Sequence, residues 1–100
     1  MKLTGKQLRF LRARGHALSP HVQLSELSDA VLAEAGRQLE HHELIKIKVS
    51  GDDRDERSEL IAALAQKLDA QEVQQLGKTA LLYRANPEAK KPIILPQSRE

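Results

Sequence analysis

The sequence predicts a compact two-layer α/β domain, with elements in the order α-β-α-β-α-β-β and four strands in one mixed sheet. Three observations carry this prediction. Segments with helical apolar spacing alternate with short strand-like segments, the pattern of layered α/β folds. The last two strand-like segments meet at Gly77-Lys78, which predicts an antiparallel hairpin. The chain has 100 residues, 40% of them apolar, enough for one modest core and too few for two.

Taken in order, Thr4 caps a first helix over about 5–15. Leu8, Leu11 and Gly15 share one face of it, Lys6, Arg9 and Arg12 share the opposite flank, and Arg14 stands apart from both. Gly15 suits the C-terminal cap of this helix. "SPHVQL" (19–24) reads as a brief strand centred on Val22. Ser25 or Ser28 starts a second helix over about 27–41, with Leu27, Val31, Leu32, Ala35 and Leu39 as its buried stripe. The second strand follows at 43–49, with Ile45, Ile47 and Val49 on one face and Leu44, Lys46 and Lys48 on the other. "SGDDRDE" is a turn in which Asp53 can cap a third helix over about 54–68, with Leu60, Ile61, Leu64, Ala65 and Leu68 inward. Residues 71–84 form the closing hairpin. If the second and third strands are neighbours, the helix between them makes them parallel. The last sixteen residues, with Pro87, Pro92 and Pro96 around "IIL", read as a partly extended tail whose short apolar segment can dock on the domain.

Composition narrows the function. The absence of cysteine excludes a disulfide scaffold, a thiolate zinc site and a cysteine nucleophile. No segment has the apolar length of a secretory signal or a membrane span, so a cytoplasmic protein with no membrane partner is expected. The net charge is only +2, but it is unevenly spread. Residues 1–25 hold five basic and no acidic residues; 26–72 hold six basic and twelve acidic; 73–100 hold five basic and two acidic. Basic ends around an acidic middle can attract a polyanion locally although the whole chain is nearly neutral.

The chemically suggestive residues do not assemble into a catalytic motif. His41 and His42 are consecutive, so on a helix they point about 100° apart, unlike the i, i+4 pairs of zinc sites. Near a helix C-terminus they meet the dipole favourably instead. "DDRDE" lacks the glycine and closing glutamate of a calcium loop. No phosphate-binding glycine loop, GxSxG or dinucleotide fingerprint occurs, so no enzyme, cofactor or metal is expected. What remains is basic surface: Lys6, Arg9 and Arg12 along one helix, Lys46 and Lys48 on one strand face, Lys78 at the hairpin turn and Arg84 at its end. Arginines fork onto phosphate oxygens, and with only Phe10 and Tyr83 as aromatics, RNA recognition by stacking over a sheet is not expected.

Three blocks, "LTGKQLRFLRARGHAL" (3–18), "VLAEAGRQLEHHELIKIKV" (31–49) and "QQLGKTALLYR" (74–84), resemble the bacterial stand-alone CRM domain (chloroplast RNA splicing and ribosome maturation) of the YhbY type. The resemblance spans nearly all of residues 2–84, which places a CRM domain at 1–84 and a tail at 85–100. It implies a four-stranded mixed sheet akin to the C-terminal domain of translation initiation factor three. It also implies association with large-subunit precursors through ribosomal RNA, with ribosomal proteins as further partners; a monomer is expected. The matching positions imply RNA contact by Lys6, Arg9, Arg12, Lys46, Lys48, Lys78 and Arg84, and the basic N-terminal stretch adds Lys2 and Arg14. One departure stands out. The family usually has a GxxG loop between first strand and second helix, but here "VQLSELSDAVL" has neither glycine and brings Glu26 and Asp29 to the helix entrance. That puts a backbone clamp on phosphate in doubt and shifts the expected surface toward the first helix and the hairpin. The alternative is a protein-interaction module on pre-ribosomal particles whose RNA binding is weakened by the loss of that loop.

Overall fold

The computed structural model describes residues 2–97. The elements are α1 (Gly5–His16), β1 (Val22–Leu24), α2 (Asp29–His42), β2 (Leu44–Val49), α3 (Arg54–Lys67), β3 (Gln71–Leu76) and β4 (Thr79–Tyr83). Each helix start is set by a side chain that satisfies orphan amide donors. Thr4 accepts from the Gln7 N–H while the Gln7 side chain accepts from the Thr4 N–H, a reciprocal box. Ser28, rather than Ser25, caps α2 by accepting from the Val31 N–H at 3.1 Å. Asp53 accepts from the amides of Asp55 and Glu56 at the start of α3.

The sheet order is β1-β2-β4-β3. β1 and β2 are parallel, joined across α2, while β4 is antiparallel to both β2 and β3. The second and third strands are therefore not neighbours, because β4 inserts between them. The cause is visible in "ALLY": Ala80 and Leu82 are buried on one face and Leu81 and Tyr83 on the other, as befits a central strand. β3, with glutamines and a glutamate along it, is left at the edge.

Two apolar clusters result. Val22, Leu24, Ile45, Ile47, Val49 and Leu82 meet Ala35 and Leu39 of α2 and Ile61 and Leu64 of α3 on one face. On the other, Leu11 of α1 packs with Leu3, Leu44, Val73, Leu81 and Tyr83, and Ile93 and Leu95 of the tail join them. The helix-on-sheet layer expected from the sequence is the α2/α3 side; α1 and the tail cover part of the opposite face. Gly15 explains how closely α1 lies. It does not end the helix, which runs to His16 with Ala17 as cap. A Cβ built at Gly15 would sit 2.5 Å from the Leu81 Cδ1, so the helix backbone rests directly on β4. Gly15→Val should destabilise the fold by about 1–3 kcal/mol through overpacking, measured by urea unfolding.

Glu43 joins α2 to β2 and is the one buried polar or charged residue among those described. Its φ is 61° with ψ −40°, a conformation in which a non-glycine residue is strained. Its side chain accounts for its presence there. One carboxylate oxygen accepts from the Asn86 N–H and the other from the Ile93 N–H, both at 2.6 Å. The Asn86 amide in turn donates to the Glu40 carbonyl at 2.9 Å, and the Gln7 amide donates to the Pro96 carbonyl at 3.2 Å. The tail is thus strapped across the end of α2 and along α1. Burial, and then the Glu43 charge, push the Tyr83 phenol above its ordinary value. Glu43→Gln would turn an NH2 group toward one of the two amide donors. It should cost about 1–3 kcal/mol and release the strap, read as faster tryptic cleavage after Lys90.

Candidate functional site

Charge is divided unevenly among the helices. α1 carries Lys6, Arg9, Arg12 and Arg14 with no acid, while α2 and α3 together carry six acidic and four basic residues. Lys6 and Arg9 are exposed on α1 and Lys2 is exposed just before it, while Leu11 and Gly15 are buried on the inner side of the helix. Arg12 is exposed yet anchored: its Nε donates to the Val73 carbonyl at 3.1 Å. Val73 is the unpaired residue of a bulge between Glu72 and Gln74, so its carbonyl is free of the ladder and Arg12 satisfies it. The four remaining N–H groups of that guanidinium point a fork outward from a fixed stem.

The strand lysines differ from one another. On β2 both lie on the α1 side of the sheet. Lys46 is half-buried, and its Nζ donates to the His16 carbonyl at 3.3 Å, where the orphan carbonyls of α1 end. Lys48 is exposed, two residues farther along, with Gln23 of β1 on one side and Thr79 of β4 on the other; Leu76 of β3 completes that rung. This strip of sheet lies beyond the end of α1, so Lys48 adjoins the helix without being covered by it.

Lys78 and Arg84 do not join this group. Lys78 is exposed at the hairpin turn, its Nζ 3.8 Å from Asp52. Arg84 is half-buried and donates to the Leu68 carbonyl at 2.7 Å and the Gly36 carbonyl at 3.4 Å, tying α2 to the end of α3. Sequence reading missed this clamp, and missed the Lys46 contact, because both partners are main-chain carbonyls far away in the chain. The structure places Lys6, Arg9 and Arg12 on α1 and Lys46 and Lys48 on the sheet face that α1 partly covers, with Lys2 just before the helix and Arg14 in its last turn.

The β1–α2 corner offers phosphate little. Ser28 already accepts from an amide at the N-terminus of α2, Asp29 occupies its first turn, and Leu27 packs onto the core. The histidines are also engaged structurally. The His21 Nδ1 accepts from the Lys46 N–H at 3.0 Å, and the His21 and His42 ring centroids are 4.9 Å apart. Among the described residues, no three histidines or carboxylates gather in a way that could hold a metal ion.

Residues 3–84 match the model of the CRS1/YhbY (CRM) domain. The chain belongs to this family. It is 43% identical over 90 residues to an RNA-binding protein of Haemophilus influenzae, covering 88% of this chain and 91% of that one. It is 41% identical to a probable RNA-binding protein of Pseudomonas aeruginosa, covering 91% and 89%. The solution structure of a hypothetical protein from Staphylococcus aureus superposes with a TM-score of 0.81 at 33% identity, over 95% of this chain and all of that one. The mixed four-stranded CRM sheet expected from the sequence is thus the fold this chain has. No described helix is long and apolar enough to cross a membrane.

His21 makes this corner of the CRM domain sensitive to pH. Burial, and then His42, pull its ring below the ordinary histidine value of 6.5. A ring whose Nδ1 lone pair is held by an amide must shed that bond to take a proton there. The unfolded chain therefore binds the proton more readily, and the stability present above pH 6.5 is lost as pH falls toward the folded value. Urea unfolding at pH 7.5 and 5.5 should show that loss, and a smaller one in His21→Asn, which keeps an acceptor and cannot titrate.

Proposed function

We propose that this CRM protein is a non-enzymatic, RNA-binding accessory factor for assembly of the large ribosomal subunit. In this reading residues 1–84 are the RNA-binding domain and 85–100 its tail. The protein acts in the cytoplasm as a monomer, needs no cofactor, and meets ribosomal RNA, with ribosomal proteins nearby, in subunit precursors. The observation that carries the RNA-binding part is the acid-free outer side of α1 next to the open rung at Lys48. A helix side lined with exposed basic side chains suits a phosphate backbone, whose binding releases counterions and weakens with salt. The names carried by the relatives point the same way. Lys6, Arg9 and Lys48 are the primary contacts, Lys2 an accessory one, and the outward fork of Arg12 a fourth. Lys46, Lys78 and Arg84, each with a protein partner, contribute less.

A second reading is a protein-interaction module that has lost RNA binding together with its glycine loop. It draws on the self-capped N-terminus of α2. Its intended surface is weaker than the sequence suggests, since α2 and α3 interleave Arg37, Arg54, Arg57 and Lys67 among their acids.

Lys6→Glu/Arg9→Glu/Lys48→Glu tests the first reading and spares Arg12, whose bond to Val73 would confound the result. Binding of structured ribosomal RNA should weaken in this variant, and its log K against log salt slope should fall by about 2–3. Co-sedimentation with large-subunit precursors should be lost in parallel. Wild-type protein that binds no RNA even at low salt would favour the second reading.

A further inference from the structure

Arg14 is set apart from the Lys6–Arg9–Arg12 flank, and the structure gives it a different neighbourhood. Where the last turns of α1 and α2 meet the C-terminal strap lies an open cleft of about 840 Å³. A volume of this order holds a single nucleotide with room to spare. Arg14 forms one wall, His41 and His42 a second, and Lys90 and Lys91 a third, with Leu18, Leu44 and Ile93 also lining it. Glu40 and Glu88 line it too, so the fixed charges favour an anion by three to two.

The third wall is held in place. Glu43 grips the strap at Asn86 and Ile93, Asn86 donates to the Glu40 carbonyl, and its Oδ1 accepts from the Glu88 N–H at 3.1 Å. Lys90 and Lys91 thus sit between two tethered points of main chain, exposed, with no ion pair to either among the described residues.

The rings in this cleft suit a base. Phe10 is half-buried and Tyr83 buried, so neither presents an open face, whereas His41 and His42 are exposed. Their centroids lie 6.3 Å apart with planes inclined at 54°, and His21 backs His42. Imidazole is among the side chains on which unstacked RNA bases settle. Arg14 lies eight residues beyond Lys6, about 12 Å along the helix axis, a span of roughly two nucleotides of backbone.

We propose that this cleft receives one unstacked nucleotide of the bound RNA, its base against His41 and His42 and its phosphate on Arg14, Lys90 and Lys91. This rests on the RNA-binding reading above. The test compares two RNA hairpins, one with an uninterrupted stem and one with a single-nucleotide bulge, by fluorescence anisotropy at pH 7.5. Wild-type protein should bind the bulged hairpin about five- to a hundredfold more tightly, the range that one base stacked on a ring supplies. His41→Ala/His42→Ala should lose that preference while keeping its affinity for the uninterrupted stem, which also reports that the variant is folded. If the stem affinity falls as well, Lys90→Gln/Lys91→Gln, on the exposed strap, is read in its place and should reduce the preference. A wild type that binds both hairpins equally, or a preference that survives the substitutions, overturns the cleft and leaves the RNA-binding reading standing. Failure to bind either hairpin at low salt overturns both.

Discussion

The arrangement of this domain depends on one buried carboxylate. Glu43 sits where α2 stops and β2 begins, at a positive φ that would ordinarily call for glycine. Glycine there would relax the backbone and leave two amide donors of the tail without their acceptor. Burying a charged side chain is unfavourable unless hydrogen bonds replace its water, and here two short bonds to main-chain N–H groups do so. Local strain of about 1–3 kcal/mol is thereby exchanged for a fixed path of the last described residues. The strap in turn brings Ile93 and Leu95 onto the second apolar cluster, and with them the rim that carries Lys90 and Lys91.

A second constraint shapes the binding side. β4 is buried on both faces, so the sheet needs cover on both, yet only α2 and α3 are available for one face and α1 with the tail for the other. α1 must lie low to cover Leu81, and Gly15 permits it. Because its inner side is spent on that contact, its basic residues can only face outward, beside the uncovered rung of the sheet. The position of the positive surface is thus a consequence of packing as much as of composition. Within that surface the residues are unequal. Arg12 and Lys46 each use a donor on a main-chain carbonyl, which stabilises the scaffold and fixes where the charge sits.

Much of this was legible in the residues. The seven elements follow from apolar spacing, caps and the Gly77 turn, and the blocks ending in "HELIKIKV" and "ALLYR" carry the family. The central place of β4 was not read from the sequence: chain order suggests β3 as the neighbour of β2, whereas "ALLY" is buried on both faces and inserts between them. Gly15 was read as a helix stop because glycine at a helix end usually is one; its contact with Leu81 lies 66 residues away along the chain. Arg84 and Lys46 looked like surface charge for the same reason. A long cationic side chain shows nothing in sequence of whether its head will meet solvent or a distant carbonyl.

What the sequence determined by itself was therefore local and compositional: helix and strand periods, caps, turn, family signature, and an N-terminal segment free of acids. These depend on neighbours within a few residues, or on no neighbours at all. Tertiary structure alone decided which charges are available and which are engaged, why a glutamate occupies a strained corner, and that three histidines, an arginine and two tail lysines border one cleft. Those outcomes are set by distances between segments far apart in the chain, and no spacing along the sequence encodes them.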